Sequence, residues 1–225
     1  MNAMLTAIVD GDRSAVEELL KADRGLATLL IRKPKLYDSK IFHWIYRGDT
    51  ALHLAAAGYR VELVELLLEV GADPNAAHNH RHSGPLHYAS DGFLDNPEWD
   101  PKKQVETIQR LLDKGAKIDL QDKNGATALH RAVRTRCAAA VRYLLKSGAD
   151  LTTWNKPGST AFHLAVQNTG RGGSGSAKAM SAQRQIINDF LAFGVNPNLK
   201  CSRGKTVKDW ARIAWIRELL DDSRV

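Results

Sequence analysis

The sequence predicts an all-α repeat solenoid, a stack of helix-turn-helix units, and three observations carry the prediction. The first is a recurring motif. Gly48-Asp-Thr-Ala-Leu-His-Leu-Ala-Ala56 returns as Ser83-Gly-Pro-Leu-His-Tyr-Ala, Gly125-Ala-Thr-Ala-Leu-His-Arg-Ala, Gly158-Ser-Thr-Ala-Phe-His-Leu-Ala and a worn Gly204-Lys-Thr-Val-Lys-Asp-Trp-Ala. The second is its spacing: His53, His87, His130 and His163 follow one another at 34, 43 and 33 residues, and the equivalent Asp209 comes 46 later. One unit is therefore about 33 residues, with two units stretched. The third is a glycine closing each unit, at Gly71, Gly115, Gly148 and Gly194, where it can supply the left-handed residue that ends a helix.

The chain opens with a degenerate cap unit, 1–46, whose Val16, Leu19 and Leu20 give one apolar helical face. Its segment from Ile31 to Arg47 ends in Ile41-Phe-His-Trp-Ile-Tyr46, which alternates with period two and predicts a short strand or hairpin. Phe42, Trp44 and Tyr46 then share a face, and two readings stand beside each other. Trp44 and Tyr46 anchor a partner, or the rings cover the end of the first helices.

Four middle units follow, at about 47–80, 81–123, 124–155 and 156–200. Their second helices repeat an apolar face at Val64/Leu67/Leu68, Ile108/Leu111/Leu112, Val141/Leu144/Leu145 and Ile187/Phe190/Leu191. Thr50, Thr127, Thr160 and Thr206 are suited to N-cap the first helices, and Pro85 sits in a first turn, where its missing N–H costs nothing. The stretched units carry their extra residues after the first helix, as Asp91-Gly-Phe-Leu-Asp-Asn-Pro-Glu-Trp-Asp-Pro101 and as the glycine-rich 168–176. Ile216, Leu219 and Leu220 mark a closing cap unit, 201–225.

Over most of its length, from about Leu5 to Leu220, the chain resembles the ankyrin repeat family, through the Thr-Pro-Leu-His-like start and the Gly-Ala-Asp-like end of each unit. The resemblance implies about six units including degenerate caps in a single domain, each a β-hairpin finger and two antiparallel helices, stacked into a curved solenoid. It implies a structural task for His53, His87, His130 and His163, hydrogen-bonding a helix start to the adjoining turn. It also implies a non-catalytic module that grips another protein with its concave face and fingers. The departures are alanine or phenylalanine in place of the family's proline or leucine, and Lys208-Asp209 in the last unit.

A formal net charge of +7 suits acidic protein, phosphate or nucleic acid, but the cations are spread through every unit among acids such as Glu62, Glu65, Glu69 and Asp113. That dispersion predicts a solvated surface, and nucleic acid ranks third among partner classes for want of a basic stripe with interleaved aromatics. No signal-like or membrane-spanning run is present, and Cys137 and Cys201 form no metal or redox spacing. The expectation is a cytoplasmic monomer without cofactor. Gly204-Lys205-Thr206 imitates a phosphate loop without its strand or first glycine, and Arg47-Gly48-Asp49 an adhesion tripeptide without an export signal.

Two candidate surfaces remain. One is the first finger, where His78, His80, Arg81 and His82 join Trp44 and Tyr46 as expected partner contacts. The three alternating histidines would share one side of an extended finger, as an exposed polar tip or, in a minority reading, a metal pair. The other surface is the helix-turn edge formed by 91–101, 134–137 and 168–176. Asp91, Trp99, Asp100, Arg134, Arg136, Cys137, Arg171, Gly172 and Gly173 are its candidates for holding a small anionic ligand, or for an unusual enzymatic site. A flexible linker beside arginines that merely tie down an acidic loop is the competing account of that edge.

Overall fold

A computed structural model describes residues 3–32, 36–167 and 175–222. Among them twelve helices form six antiparallel pairs. The first members are α1 (Ala3–Asp10), α3 (Ala51–Ala57), α5 (Pro85–Ser90), α7 (Ala128–Arg134), α9 (Ala161–Ala165) and α11 (Val207–Trp210). The second members are α2 (Arg13–Ala22), α4 (Val61–Glu69), α6 (Pro101–Asp113), α8 (Ala138–Lys146), α10 (Ala177–Ala192) and α12 (Ala214–Asp222). First helices pack on first helices in order, α1 on α3, α3 on α5, α5 on α7, α7 on α9 and α9 on α11. Second helices pack on one another from α2 through α10. Two helical layers result, with one continuous apolar core between them.

The core uses the predicted register. Val64, Ile108, Val141 and Ile187 are fully buried, as are Leu67, Leu111, Leu144 and Phe190 one turn on. Phe190 stacks on Phe162 of the first layer at 4.8 Å between ring centroids. The terminal pairs contribute Val16 and Leu20 at one end and Ile216 and Leu220 at the other.

The fingers join the pairs. At each tip an Asn or Asp accepts hydrogen bonds from the turn that follows: Asn79 Oδ1 from Ser83 N–H (3.1 Å), Asp122 Oδ1 from Ala126 N–H (3.0 Å), Asn155 Oδ1 from Ser159 N–H (2.9 Å). Neighbouring tips are tied by backbone bonds from Lys123 N–H to Arg81 O, Lys156 N–H to Asn124 O and Ser202 N–H to Gly158 O, at 2.7, 2.8 and 2.9 Å. The long first finger holds a two-stranded antiparallel hairpin, β1 (Leu36–Asp38) on β2 (His43–Ile45).

The repeat histidines bridge each unit to the next. Nδ1 of His53, His87 and His130 accepts the N–H of Thr50 (3.0 Å), Gly84 (3.1 Å) and Thr127 (3.3 Å). Their Nε2 must then carry the proton. It donates to Ser83 O (3.0 Å), Ala126 O (2.9 Å) and Ser159 O (3.1 Å), all in the following unit. His163 makes the same reach to Lys205 O at 3.2 Å. Burial disfavours the charged ring, so all four are held below the ordinary imidazole pKa, and His87, which also faces Arg131, lies at about 4.

Candidate interaction surfaces

The N-terminal hairpin divides its aromatic residues. Trp44 and Tyr37 pack edge to face across the two strands, with about half of each side chain left in solvent. Tyr46 does not share Trp44's face as period two predicted. β2 ends at Ile45, and the tight turn that follows is fixed by Asp49 Oδ2 accepting Tyr46 N–H at 2.7 Å, so the ring turns inward and is buried. Arg81 lies over that ring at 5.5 Å and donates to its hydroxyl at 3.1 Å, while His80 meets it edge-on. Asp49 is fully buried, accepting from Asn79 Nδ2 and Tyr88 OH at 2.8 Å each. It is therefore no adhesion ligand. Gly48 (φ +90°) lies so close to the His78 carbonyl that a Cβ would collide with it.

His78, His80 and His82 are exposed, yet they do not line an extended strand. Residues 79–82 form a turn closed by His82 N–H to Asn79 O (2.9 Å), with His82 at φ +51°. Turning the chain there breaks the period-two alignment. Among the described residues no group of three or more His, Cys, Asp or Glu side chains is placed to hold a metal ion.

At the helix-turn edge the 91–101 loop folds over the 134–137 turn. Asp91 is buried and accepts from Arg131 Nη1 (2.6 Å), Arg134 Nη2 (3.3 Å) and His43 Nε2 (3.4 Å). Its backbone carbonyl receives Tyr59 OH and Gln104 Nε2. Burial opposes ionisation of the carboxyl, but Arg131, His43 and Arg134 overcome it and hold Asp91 well below the usual carboxylate range. Trp99 is packed against the core rather than presented to solvent, and Asp100 caps α6 by accepting Lys102 N–H at 2.8 Å. Cys137 is buried against Gly92, and burial pushes its thiol up to about 11. Lys178, at the start of α10, donates to Leu94 O, so the two stretched units meet above the third middle unit. Arg171, Gly172 and Gly173 lie outside the described residues.

Arg131 was not among the sequence candidates. It is fully buried and reaches Asp91, Ser83 Oγ (2.9 Å) and Asp122 Oδ2 (3.2 Å). Its signal was present: the residues that follow the other repeat histidines are Leu54, Tyr88 and Leu164, so an arginine there breaks the pattern. Beside it, on the finger side of α7 and α9, opens a cavity of about 590 Å³. Asn124, Asn155 and Lys156 line it from the fingers, Arg134 and Arg136 from the α7 end, Leu164 from α9 and Gln167 from just beyond it.

Comparison with known proteins fits this geometry. A family model described as "Ankyrin repeat" matches residues 47–79, and one described as "Ankyrin repeats (3 copies)" matches 101–180. The chain belongs to the ankyrin repeat family. It is 42% identical to mouse "Ankyrin repeat and SOCS box protein 6" over 84 residues, 37% of this chain and 18% of that protein. It is 31% identical to the "Transient receptor potential cation channel subfamily A member 1 homolog" of Caenorhabditis elegans over 141 residues, 63% of this chain and 10% of that one. The chain thus spans less than a fifth of the length of either relative. The crystal structure of an ankyrin repeat domain from Acinetobacter baumannii AYE superposes with a TM-score of 0.69 at 25% identity, covering 98% of this chain and 96% of that one. Ankyrin repeats generally serve as protein–protein interaction modules and are generally non-enzymatic. No helix among the described residues is long and apolar enough to cross a membrane.

Proposed function

We propose that this ankyrin repeat stack is a non-catalytic, monomeric cytoplasmic module that binds a partner protein through its fingers and the concave side of its first helices. The observation that carries the reading is the open cavity beside α7 and α9, floored by first-helix side chains and walled by fingers whose tips are linked unit to unit. A row of tips tied to one another beside an open cavity suits an extended surface better than a single reacting atom. Trp154, about half exposed on the wall finger, is a large aromatic of the type that anchors interfaces. Two free buried thiols, Cys137 and Cys201, suit a reducing compartment.

The test is partner retention from native extract by wild type and by Trp154→Ser combined with His80→Ala. Loss of the partner with an unchanged circular dichroism spectrum is expected. A partner that in hydrogen exchange protects only the outer helices α4, α6 and α8 would overturn the concave assignment.

A second reading, a small anionic ligand or reaction at the helix-turn edge, is favoured by one observation. Arg134 and Arg136 line a second cavity, of about 740 Å³, between the 92–97 loop and the start of α10. Arg134 is already shared with Asp91, which lowers its capacity for a further anion. Thermal shift with phosphate and carboxylates, in wild type and in Arg134→Ala with Arg136→Ala, tests it. An anion-dependent rise that the double variant lacks would favour this edge.

A further inference from the structure

The scatter of cations along the sequence disappears in the stack. The cavity beside α7 and α9 shares its lining residue Gln167 with a second one, of about 350 Å³, beside α11, and the two, together the trough, adjoin along three successive first helices. Lys156 lines the first part beside Arg134, which is shared with Asp91, and Arg203, Lys205 and Arg212 line the second, all exposed. The trough has two lining carboxylates, and both are engaged. Asp122 accepts from Arg131, and Asp209 accepts Thr206 N–H at 2.7 Å. Asp122 is thus offset by Arg131, and the Asp209 carboxylate keeps its charge beside Lys205, so Lys156, Arg203 and Arg212 leave this face with an excess of positive charge.

We infer that this trough receives an acidic peptide segment in which carboxylates flank an aliphatic side chain. The inference rests on the protein-binding reading above and specifies the partner's chemistry. Carboxylates match the arginines and lysines along the walls, while Val133, Leu164 and Ala165 supply an apolar floor to the wider cavity. Three helices at about 10 Å spacing span about 20 Å, the length of about six extended residues. The lining does not suit single-stranded nucleic acid, which needs open aromatic faces for its bases. Its two aromatic rings are closed off: Trp210 is covered by Arg203 at 5.8 Å and meets His163 edge-on, and His130 is buried.

The probe is a fluorescent peptide of about eight residues with glutamates around a central leucine, a length set by the trough. Its glutamine counterpart and a single-stranded DNA of equal length serve as comparisons. Anisotropy should show binding of the acidic peptide that weakens at least about tenfold when Lys156→Glu, Arg203→Glu and Arg212→Glu are combined, since removing matched charge acts directly on recognition. Reversal of three cations outside the trough, Lys102→Glu, Lys103→Glu and Lys146→Glu, should change it less than about twofold. Glutamine in place of glutamate at the trough positions should give a smaller loss in the same direction, and it serves if the charge-reversed chain fails to fold. Equal losses in the trough and control variants overturn the inference, as does tighter binding of the DNA with the same dependence on trough cations. A native partner lost by Trp154→Ser but kept by the charge-reversed trough also overturns it, and that outcome leaves the interaction-module reading standing.

Discussion

Arg131 Nη1 and Asp91 Oδ2 meet at 2.6 Å with both side chains withdrawn from solvent, joining α7 to the loop that leaves α5. The same guanidinium reaches Asp122 on its own finger, so one side chain links two units and both edges of the stack. Taking these charges out of water is costly, and the pairing is what makes it tolerable. Arg131→Met should therefore destabilise the fold by about 3–5 kcal/mol, because Asp122 and part of Asp91 are left buried without their counter-ion. Urea titration checks this, and adding Asp91→Asn should return part of the loss. A single-variant change near zero would show that the network is relaxed by water.

Acid should weaken the fold before its carboxylates titrate. The folded chain keeps the four repeat histidines neutral, with His87 at about 4, whereas in the unfolded chain each titrates near its ordinary value of 6.5. Between those values the unfolded state binds more protons. The contribution is fully present above pH 6.5 and is lost as pH falls towards 4, amounting for His87 to as much as about 3 kcal/mol. Urea midpoints measured from pH 7 to pH 4.5 should fall steadily, and His87→Gln should flatten the slope. A midpoint constant across that range would mean that the rings take up protons equally in the folded and unfolded states.

The stretched units depend on two glutamines. In the tight units the carbonyl two residues after the repeat histidine is capped by the backbone, Arg60 N–H to Ala55 O and Cys137 N–H to Ala132 O, both at 2.9 Å. Where a loop carries the chain away, a side-chain amide takes over: Gln104 Nε2 to Ala89 O (3.0 Å) and Gln183 Nε2 to Ala165 O (2.7 Å). Gln104→Ala and Gln183→Ala should each cost about 1–3 kcal/mol through unsatisfied buried carbonyls. The equivalent truncation of exposed Gln185 should be near neutral by thermal melting. Equal effects at all three positions would refute the capping role.

Leu144 sits at the centre of the second-helix face and is fully buried. Leu144→Ala should cost about 2–5 kcal/mol in urea titration, the range for deleting a buried leucine. A change within error of zero would be incompatible with this packing.

The repeat was legible because its parts are local. Each N-cap, histidine and closing glycine lies within one unit, and their recurrence at a fixed period supplied the register of every second helix. The hairpin was legible for the same reason, through its alternation. The inward turn of Tyr46 was not, since it depends on Asp49 stopping the strand one residue earlier. Nor was the trough, whose cations are spread from Arg134 to Arg212 and come together only when α7, α9 and α11 stack. Arg131 and the two glutamines lay between these cases. Each departs from its repeat equivalents, Arg131 from Leu54, Tyr88 and Leu164, and Gln104 and Gln183 from Arg60 and Cys137, but what each departure meant depended on contacts 9 to 48 residues away.

The histidine bridges all run one way, from a ring in one unit to a carbonyl in the unit after it. Removing a unit from the front of the stack frees a carbonyl, which water can serve. Removing one from the back strands a ring N–H that no longer has its acceptor. Detaching a unit from either end breaks one such bridge, so the polarity lies in what the remaining stack must hydrate, a backbone carbonyl at the front and an imidazole N–H at the back.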